Sequence, residues 1–298
     1  MDSKPKIIVI LGPTSSGKSA LAVKIAKKYN GEVISADSRQ VYKGLDIGTG
    51  KITKKEMNGV PHHLLDVVSP KKIFTAANYQ KLAKKSIEDI LKRKKVPIIC
   101  GGTGFYIDVL INNYKLPNVK PNYTLRKKLS QLTTSKLFTM LKKLDPKRAK
   151  NIDKANRQRL IRSIEIVKST KKPISPLVGS LNYRVLKIGI QKSKKNLNKL
   201  IYQRLQKRLK SGLVEEVANL HKKGLSWKRM NELGLEYRYI SKYLTNQLDY
   251  KTAIQNLYQE IVHYAKRQMT YFKRDKEIIW VKNNKKAIQI CGQFLNEI

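Results

Sequence analysis

The sequence predicts an α/β fold, a phosphate-binding-loop (P-loop) parallel sheet flanked by helices with an inserted all-helical basic domain. Three observations predict it. Short apolar runs alternate with helical periodicities through the N-terminal part, the pattern produced when helices connect parallel strands. The first of these runs leads directly into GPTSSGKS, Gly12–Ser19, which matches G-x-x-x-x-G-K-[ST] in full and opens a helical pattern. From Asn118 to Lys172 the alternation gives way to helical patterns carrying 17 basic and three acidic residues.

Strands are expected at Lys6–Leu11, Glu32–Ala36, Val96–Cys100, Arg184–Ile190 and Ile278–Val281, each a compact apolar run. Helices are expected over Gly17–Tyr29 and about Ala76–Lys94. In the insertion, LFTMLKKLDPKRAKNI and RQRLIRSIEIVKS read as helices, the second with Leu160, Ile161, Ile164 and Val167 on one face. The two prolines of Thr170–Leu177 mark the exit from it. Helical patterns then cover Lys195–Lys210, Val214–Lys222, Leu233–Leu244 and Lys251–Phe272. The expected organisation is therefore residues 1–117 as the first part of a P-loop core, 118–180 as an inserted helical RNA-binding domain, and 181–298 as the completion of the core.

At 298 residues the chain can bury one large core, or a core with a smaller satellite. Its 63 Lys and Arg outnumber 21 Asp and Glu, a formal net charge of +42. Lysine predominates, 49 against 14 Arg, alongside abundant Ile and Asn, a bias that A/T-rich coding also produces. Distribution discriminates better than the sum. The Asn118–Lys172 stretch carries net +14 in 55 positions, about twice the density of the rest. Such a zone attracts nucleic acid through phosphate contacts and counterion release, and it also reads as a solvated lysine coat. Two cysteines, Cys100 and Cys291, provide neither a disulfide framework nor a four-thiolate zinc site, and the four His form no metal motif. No apolar run reaches membrane-spanning length, so a cytoplasmic protein without membrane attachment is expected.

The P-loop supplies backbone N–H groups and a helix N-terminus for an anion, with Lys18 as a positive charge and Ser19 as a hydroxyl for Mg²⁺. It specifies a diphosphate without saying whose. Asp37, just past the second strand, lies at a carboxyl end, where such sheets bind ligands. It reads equally as a general base and as a cap on the following turn. GLDIGTGK, downstream, suggests a tight glycine-shaped loop near the same mouth. The third strand discriminates between reaction classes. P-loop kinases and hydrolases often end it with a Mg²⁺-positioning Asp, whereas here it ends in Gly101-Gly102-Thr103-Gly104. Arg204 and Arg208, four apart on one helix face, read as a diphosphate clamp or as an ordinary cationic face. Arg159 and Arg162, with Arg126, are the arginines of the insertion best suited to bidentate phosphate and base-edge contacts. AKRQMTYFKR, Ala265–Arg274, mixes basic and aromatic residues and fits either an RNA surface or a core segment.

Taken together, the chain closely resembles the bacterial tRNA dimethylallyltransferases, or tRNA isopentenyltransferases, over nearly its whole length. The resemblance rests on GPTSSGKS (12–19), DSRQVYKGLDIGT (37–49), PHHLLD (61–66), GGTG (101–104), QRLIRSIE (158–165), RLQKRLKSGLVEEV (204–217) and KRQ (266–268). It implies transfer of the dimethylallyl group of dimethylallyl diphosphate to the exocyclic N6 amine of an adenine. That adenine is 3′-adjacent to the anticodon in tRNAs reading codons that begin with U, and it is flipped out to react. By position, Asp37 is then the general base and Thr103 a catalytic group that holds the diphosphate. Gly12, Pro13, Thr14, Ser15, Ser16, Gly17, Lys18, Ser19 and Arg208 bind the diphosphate, with Arg204 as a further candidate and Ser19 on Mg²⁺. Asp37, Ser38, Arg39, Gln40, Thr103, Arg126, Gln158, Arg159, Leu160, Ile161 and Arg162 contact tRNA, meeting its anticodon stem-loop. A monomer is implied. Two positions depart from the family pattern: Glu236 stands where a Gly-Tyr-Lys/Arg turn usually has its Gly, and Asn156 stands where an acidic residue is common. The competing readings are a P-loop kinase and a nucleotide-gated RNA-binding protein.

Overall fold

The computed structural model describes residues 4–297, which contain six strands and fourteen helices. The strands are β1 (Lys6–Leu11), β2 (Gly31–Ser35), β3 (His62–His63), β4 (Val96–Gly101), β5 (Arg184–Ile190) and β6 (Ile279–Val281). They form one parallel sheet in the order β3-β2-β4-β1-β5-β6. β1 lies at its centre, with Ile8 opposite Ile98 of β4 on one side and Leu186 of β5 on the other. Five of its six residues are buried, as a strand covered on both faces requires. β4 separates β1 from β2, so the tips of the first and second strands are not neighbours; the glycine-rich end of β4 stands between them.

The helices α1 (Lys18–Lys28), α2 (Lys54–Met57), α3 (Ala76–Lys92) and α4 (Gly104–Ile111) follow the early strands. α5 (Tyr123–Ser130), α6 (Thr134–Leu144), α7 (Pro146–Lys150) and α8 (Arg157–Thr170) occupy the insertion. The C-terminal part holds α9 (Lys194–Lys210), α10 (Leu213–Lys222), α11 (Trp227–Leu233), α12 (Leu235–Leu244), α13 (Tyr250–Phe272) and α14 (Asn284–Asn296). One expected helix, spanning residues 137–152, is divided into α6 and α7. Asp145 caps α7 by accepting from Arg148 N, and Pro146 at its first position cannot continue α6. The extended backbone at Gly234 separates α11 from α12, and the residues before it, Trp227–Leu233, form a helix of their own. β3, too short to leave a periodic signal, and the helices α2, α4, α5, α11 and α14 were not anticipated.

The chain divides into two compact units: residues up to Asn113 with those from Ser180 onward, and Tyr114–Gly179. The larger unit has its sheet core around Ile8, Ile10, Ile25, Val33, Ile98 and Ile188. A second cluster, around Val41, Leu45, Val217, Leu233 and Tyr237, packs the segment after β2 against α10–α12. The smaller unit is helical, and Leu129, Leu137, Leu141, Ala149, Leu160 and Ile164 form its core. Both cysteines are free and buried. Among the described residues no helix is long and apolar enough to cross a membrane.

Candidate active site

β1 delivers the chain into Gly12–Ser19, which turns sharply enough to put Ser15 at φ 61° and Gly17 at φ 94°. Gly17 caps α1 without a side-chain hydrogen bond, which leaves the first N–H groups of the helix available to an anion. The Ser16 hydroxyl is buried and has no partner. Lys18 folds back so that Nζ donates to Pro13 O at 2.6 Å. Burial, reinforced by the charge of Arg204, holds the Lys18 ammonium down to about 8. An arriving anion opposes both effects by its attraction for the charged form.

A residue with no assigned role in the sequence reading braces this loop. Gln268 of α13 is 7 % exposed; its Oε1 accepts from Thr14 N at 2.8 Å and its Nε2 donates to Gly102 O at 2.8 Å. It ties the P-loop to the tip of β4. A Cβ on Gly102 would collide with the Gln268 amide, so glycine is required there for the approach. Gln268 shares the inner face of α13 with Leu257, Ile261, Ala265 and Phe272. A polar residue on an otherwise apolar stripe was the available signal.

Asp37 and Thr103 meet at the ends of β2 and β4. Thr103 Oγ1 accepts from Ser38 N at 3.0 Å, which leaves its own hydroxyl proton to donate. Asp37 Oδ1 accepts from Arg39 N at 2.8 Å and Gln40 N at 3.3 Å, so the carboxylate does cap its turn. Oδ2 is not used in that turn. The Asp37 charge acts on Lys18, on Arg204 and on Tyr264 of α13, so the carboxylate and the P-loop lysine belong to one site although β4 separates their strands. Gln40 links the β2 end to the glycine loop: its Nε2 donates to Gly50 O at 3.3 Å. Arg39 is exposed.

The glycine loop and α9 build the opposite wall. Arg204 Nη2 donates to Gly50 O at 3.1 Å, and Arg208 Nη1 donates to Gly48 O at 3.2 Å and to Glu236 Oε1 at 2.7 Å. Gly50 has φ 57° and a Cβ there would strike both guanidinium groups. Burial and the neighbouring Arg208 charge lower Arg204 to about 10. The loop is held by Glu216 of α10. One of its oxygens accepts from Asp46 N and Ile47 N at 3.0 and 2.7 Å, the other from Gly48 N and the Tyr237 hydroxyl at 2.9 and 2.8 Å.

The insertion arginines are arranged differently from the sequence expectation. Glu165, 1 % exposed, receives Arg126 Nε and Nη2, Arg162 Nη1 and the Asn122 N–H. Burial pushes the Glu165 carboxyl up, but these hydrogen bonds outweigh it and hold the group at about 2. Arg162 also donates to Val119 O at 2.9 Å. Arg126 and Arg162 are thus internal struts of the smaller unit, with 33 % and 35 % of their side chains exposed. Leu160 is fully buried in that unit's core, so its side chain is not available to RNA, and Ile161 is half-buried. Gln158 and Arg159 are exposed, and Arg159 enters none of the ion pairs among the described residues.

No group of three or more His, Cys, Asp or Glu among the described residues is placed to hold a metal ion. The donors that fit Mg²⁺ are the exposed Ser19 hydroxyl and the orphaned Ser16 hydroxyl, a sparse set of the kind used when substrate phosphates and water complete the coordination.

The family model described as IPP transferase matches residues 40–275. A tRNA dimethylallyltransferase of Staphylococcus aureus is 41% identical over 99% of this chain and 97% of its own length. A tRNA dimethylallyltransferase of Caldanaerobacter subterraneus is 40% identical over 92% and 91%. The crystal structure of the tRNA isopentenylpyrophosphate transferase of Bacillus halodurans superposes with TM-score 0.74 at 34% identity, over 98% of this chain and 96% of that one. A eukaryotic dimethylallyltransferase acting on tRNA shares the fold, with TM-score 0.80 at 24% identity over 98% of this chain and 79% of that one. Identity of this level over nearly the whole chain, with a family model matching most of it, means that the chain belongs to the IPP transferase family.

Proposed function

We propose that this protein transfers the dimethylallyl group from dimethylallyl diphosphate to the N6 amine of the adenine 3′-adjacent to the anticodon, in tRNAs reading codons that begin with U. The observation that carries this reading is the composition of the site. Arg204 acts on Lys18 beside the uncapped N-terminus of α1, Arg208 neighbours Arg204 on α9, and the Asp37 carboxylate, just past β2, acts on both Lys18 and Arg204 while the tip of β4 offers Thr103. That arrangement serves a departing diphosphate and an incoming proton better than it serves transfer of a phosphoryl group.

In the proposed reaction the bond between the allylic C1 and the diphosphate oxygen breaks, and its electron pair leaves with the diphosphate. C1 bonds to N6, and the N6 proton passes to Asp37. Lys18, Arg204, Arg208 and the Gly12–Ser19 backbone neutralise the leaving group, with Thr103 donating its hydroxyl proton. Electrostatic stabilisation of this kind is a major source of rate enhancement. Mg²⁺, held by Ser19 and the diphosphate itself, would add positive charge at the leaving group. Gln158 and Arg159, exposed on α8, are the residues of the basic insertion best presented to the RNA backbone, and Arg126 and Arg162 contribute through their exposed edges. The same reading takes the enzyme to act as a monomer, as the family resemblance implies.

The test uses purified protein, Mg²⁺, radiolabelled dimethylallyl diphosphate and an unmodified anticodon stem-loop with consecutive adenines 3′ of the anticodon. Label enters the RNA with wild-type protein and fails to enter with Lys18→Ala or Asp37→Ala. Consumption of ATP without labelled RNA would return the site to the kinases.

A further inference from the structure

The arginine wall of the site contains a carboxylate that neither the donor nor the acceptor requires. Glu236 begins α12 immediately after the break at Gly234, and its Oε1 lies 2.7 Å from Arg208 Nη1. Both side chains are largely buried, at 11 % exposure for Arg208 and 15 % for Glu236. This is the one ion pair Arg208 makes among the described residues. Glu236 also acts on Arg204, the second guanidinium of the clamp. The two guanidiniums carry ten N–H donors between them. The structure occupies few: Arg204 bonds Gly50 O, Arg208 bonds Gly48 O and Glu236, and the buried Arg208 Nε has no partner. Two adjacent buried cations with spare donors favour an anion, and Glu236 already supplies one.

Building on the proposed prenyl transfer, we propose that Glu236 is the resident counterion of the diphosphate clamp, competing with diphosphate for Arg208 and so speeding release of the product. A clamp that stabilises a leaving diphosphate also retains it afterwards, because bonds made equally to bound and departing states tighten binding without helping turnover. A carboxylate fixed beside Arg208 limits that retention. It repels the diphosphate at short range in a poorly solvated wall, and it satisfies Arg208 once the diphosphate has gone. Asp37 and Glu56 also act on Arg204, but neither pairs with Arg208.

The experiment compares wild-type protein with Glu236→Gln, which keeps size and hydrogen-bonding capacity but removes the charge, and with Glu236→Asp, which restores the charge on a shorter arm. Inorganic diphosphate with Mg²⁺ is titrated by calorimetry, and KM, kcat and product inhibition are measured with the labelled donor and stem-loop. The expected result is a diphosphate Kd about tenfold lower for Glu236→Gln, equivalent to about 1.4 kcal/mol. KM for the donor falls, kcat does not rise, and Glu236→Asp moves Kd back toward wild type. A purely structural role predicts the opposite, since a loosened Arg208 weakens both Kd and KM. Equal or weaker binding by Glu236→Gln, with wild type binding normally, overturns the counterion alone. Failure of every protein to bind diphosphate overturns the donor site and the counterion together.

Discussion

Replacing Glu216 with Gln probes the foundation of the arginine wall. The two carboxylate oxygens accept four hydrogen bonds, from Asp46 N, Ile47 N, Gly48 N and the Tyr237 hydroxyl. Glutamine has one acceptor oxygen and turns the other position into a donor. If the amide nitrogen takes the place of the oxygen facing Tyr237, that hydroxyl can rotate and accept, but the Gly48 N–H then faces another donor. In the reverse orientation two backbone N–H groups are left facing it. Hydrogen bonds to a charged acceptor are worth about 1.5–3 kcal/mol, and an orphaned donor costs about 1–3 kcal/mol. Because the loss is shared over one loop, the expected destabilisation is about 2–4 kcal/mol, a large part of a typical 5–15 kcal/mol total. Urea unfolding at pH 7 measures it as a lower midpoint at unchanged slope. The donor KM rises in parallel, since Gly48 and Gly50 present the carbonyls that hold Arg208 and Arg204. A Glu216→Gln protein within about 0.5 kcal/mol of wild type, the ordinary range of surface substitutions, and with an unaltered KM would refute the reasoning.

Gln268→Ala removes the partners of Thr14 N and Gly102 O together, so it should cost about 1–3 kcal/mol and weaken binding of diphosphate with Mg²⁺; calorimetry showing wild-type affinity would mean the brace is idle. Arg159→Ala should weaken stem-loop binding, read by filter retention at two salt concentrations, and leave unfolding unchanged. Arg162→Ala should also lower stability, because it removes a partner of the buried Glu165; equal unfolding midpoints for the two variants would contradict that difference. Glu165 is held at about 2, below its ordinary value, so its contribution to stability is complete above about pH 4.5 and is lost as pH falls toward 2. Near-UV circular dichroism between pH 5 and 2 should show less acid sensitivity in Glu165→Gln than in wild type, and identical profiles would exclude Glu165 as a source of it.

Five of the six strands lie within about a residue of where their apolar runs place them, because a buried strand in a parallel sheet is nearly continuous in hydrophobicity. Their order is a different kind of information. Nothing periodic in β1 or β2 specifies that β4 lies between them; that follows from how α3 carries the chain across the sheet. The P-loop was legible because it is local, with glycines, lysine and helix start contained in eight consecutive residues. The contacts of Gln268, Glu216 and Glu236 were not, since each acts on residues far away in sequence. The insertion teaches a related lesson. Its charge drew Arg126 and Arg162 toward RNA, yet Glu165, one of only three acidic residues there, determines where those guanidiniums point.

The bond from Thr14 to Gln268 spans 254 residues. At ribosomal rates of about 5–20 residues per second, roughly 13–50 s separate synthesis of the loop from synthesis of its brace. For the earlier part of that interval, until Arg184–Gly189 of β5 are made to pair with Lys6–Leu11, β1 also presents an open sheet edge of the sort that recruits other chains. The nascent protein must therefore carry its phosphate loop unfinished through most of translation. Affinity for diphosphate then reports on the last third of the chain, and a folding assay that reads it detects completion of α13 rather than formation of the loop itself.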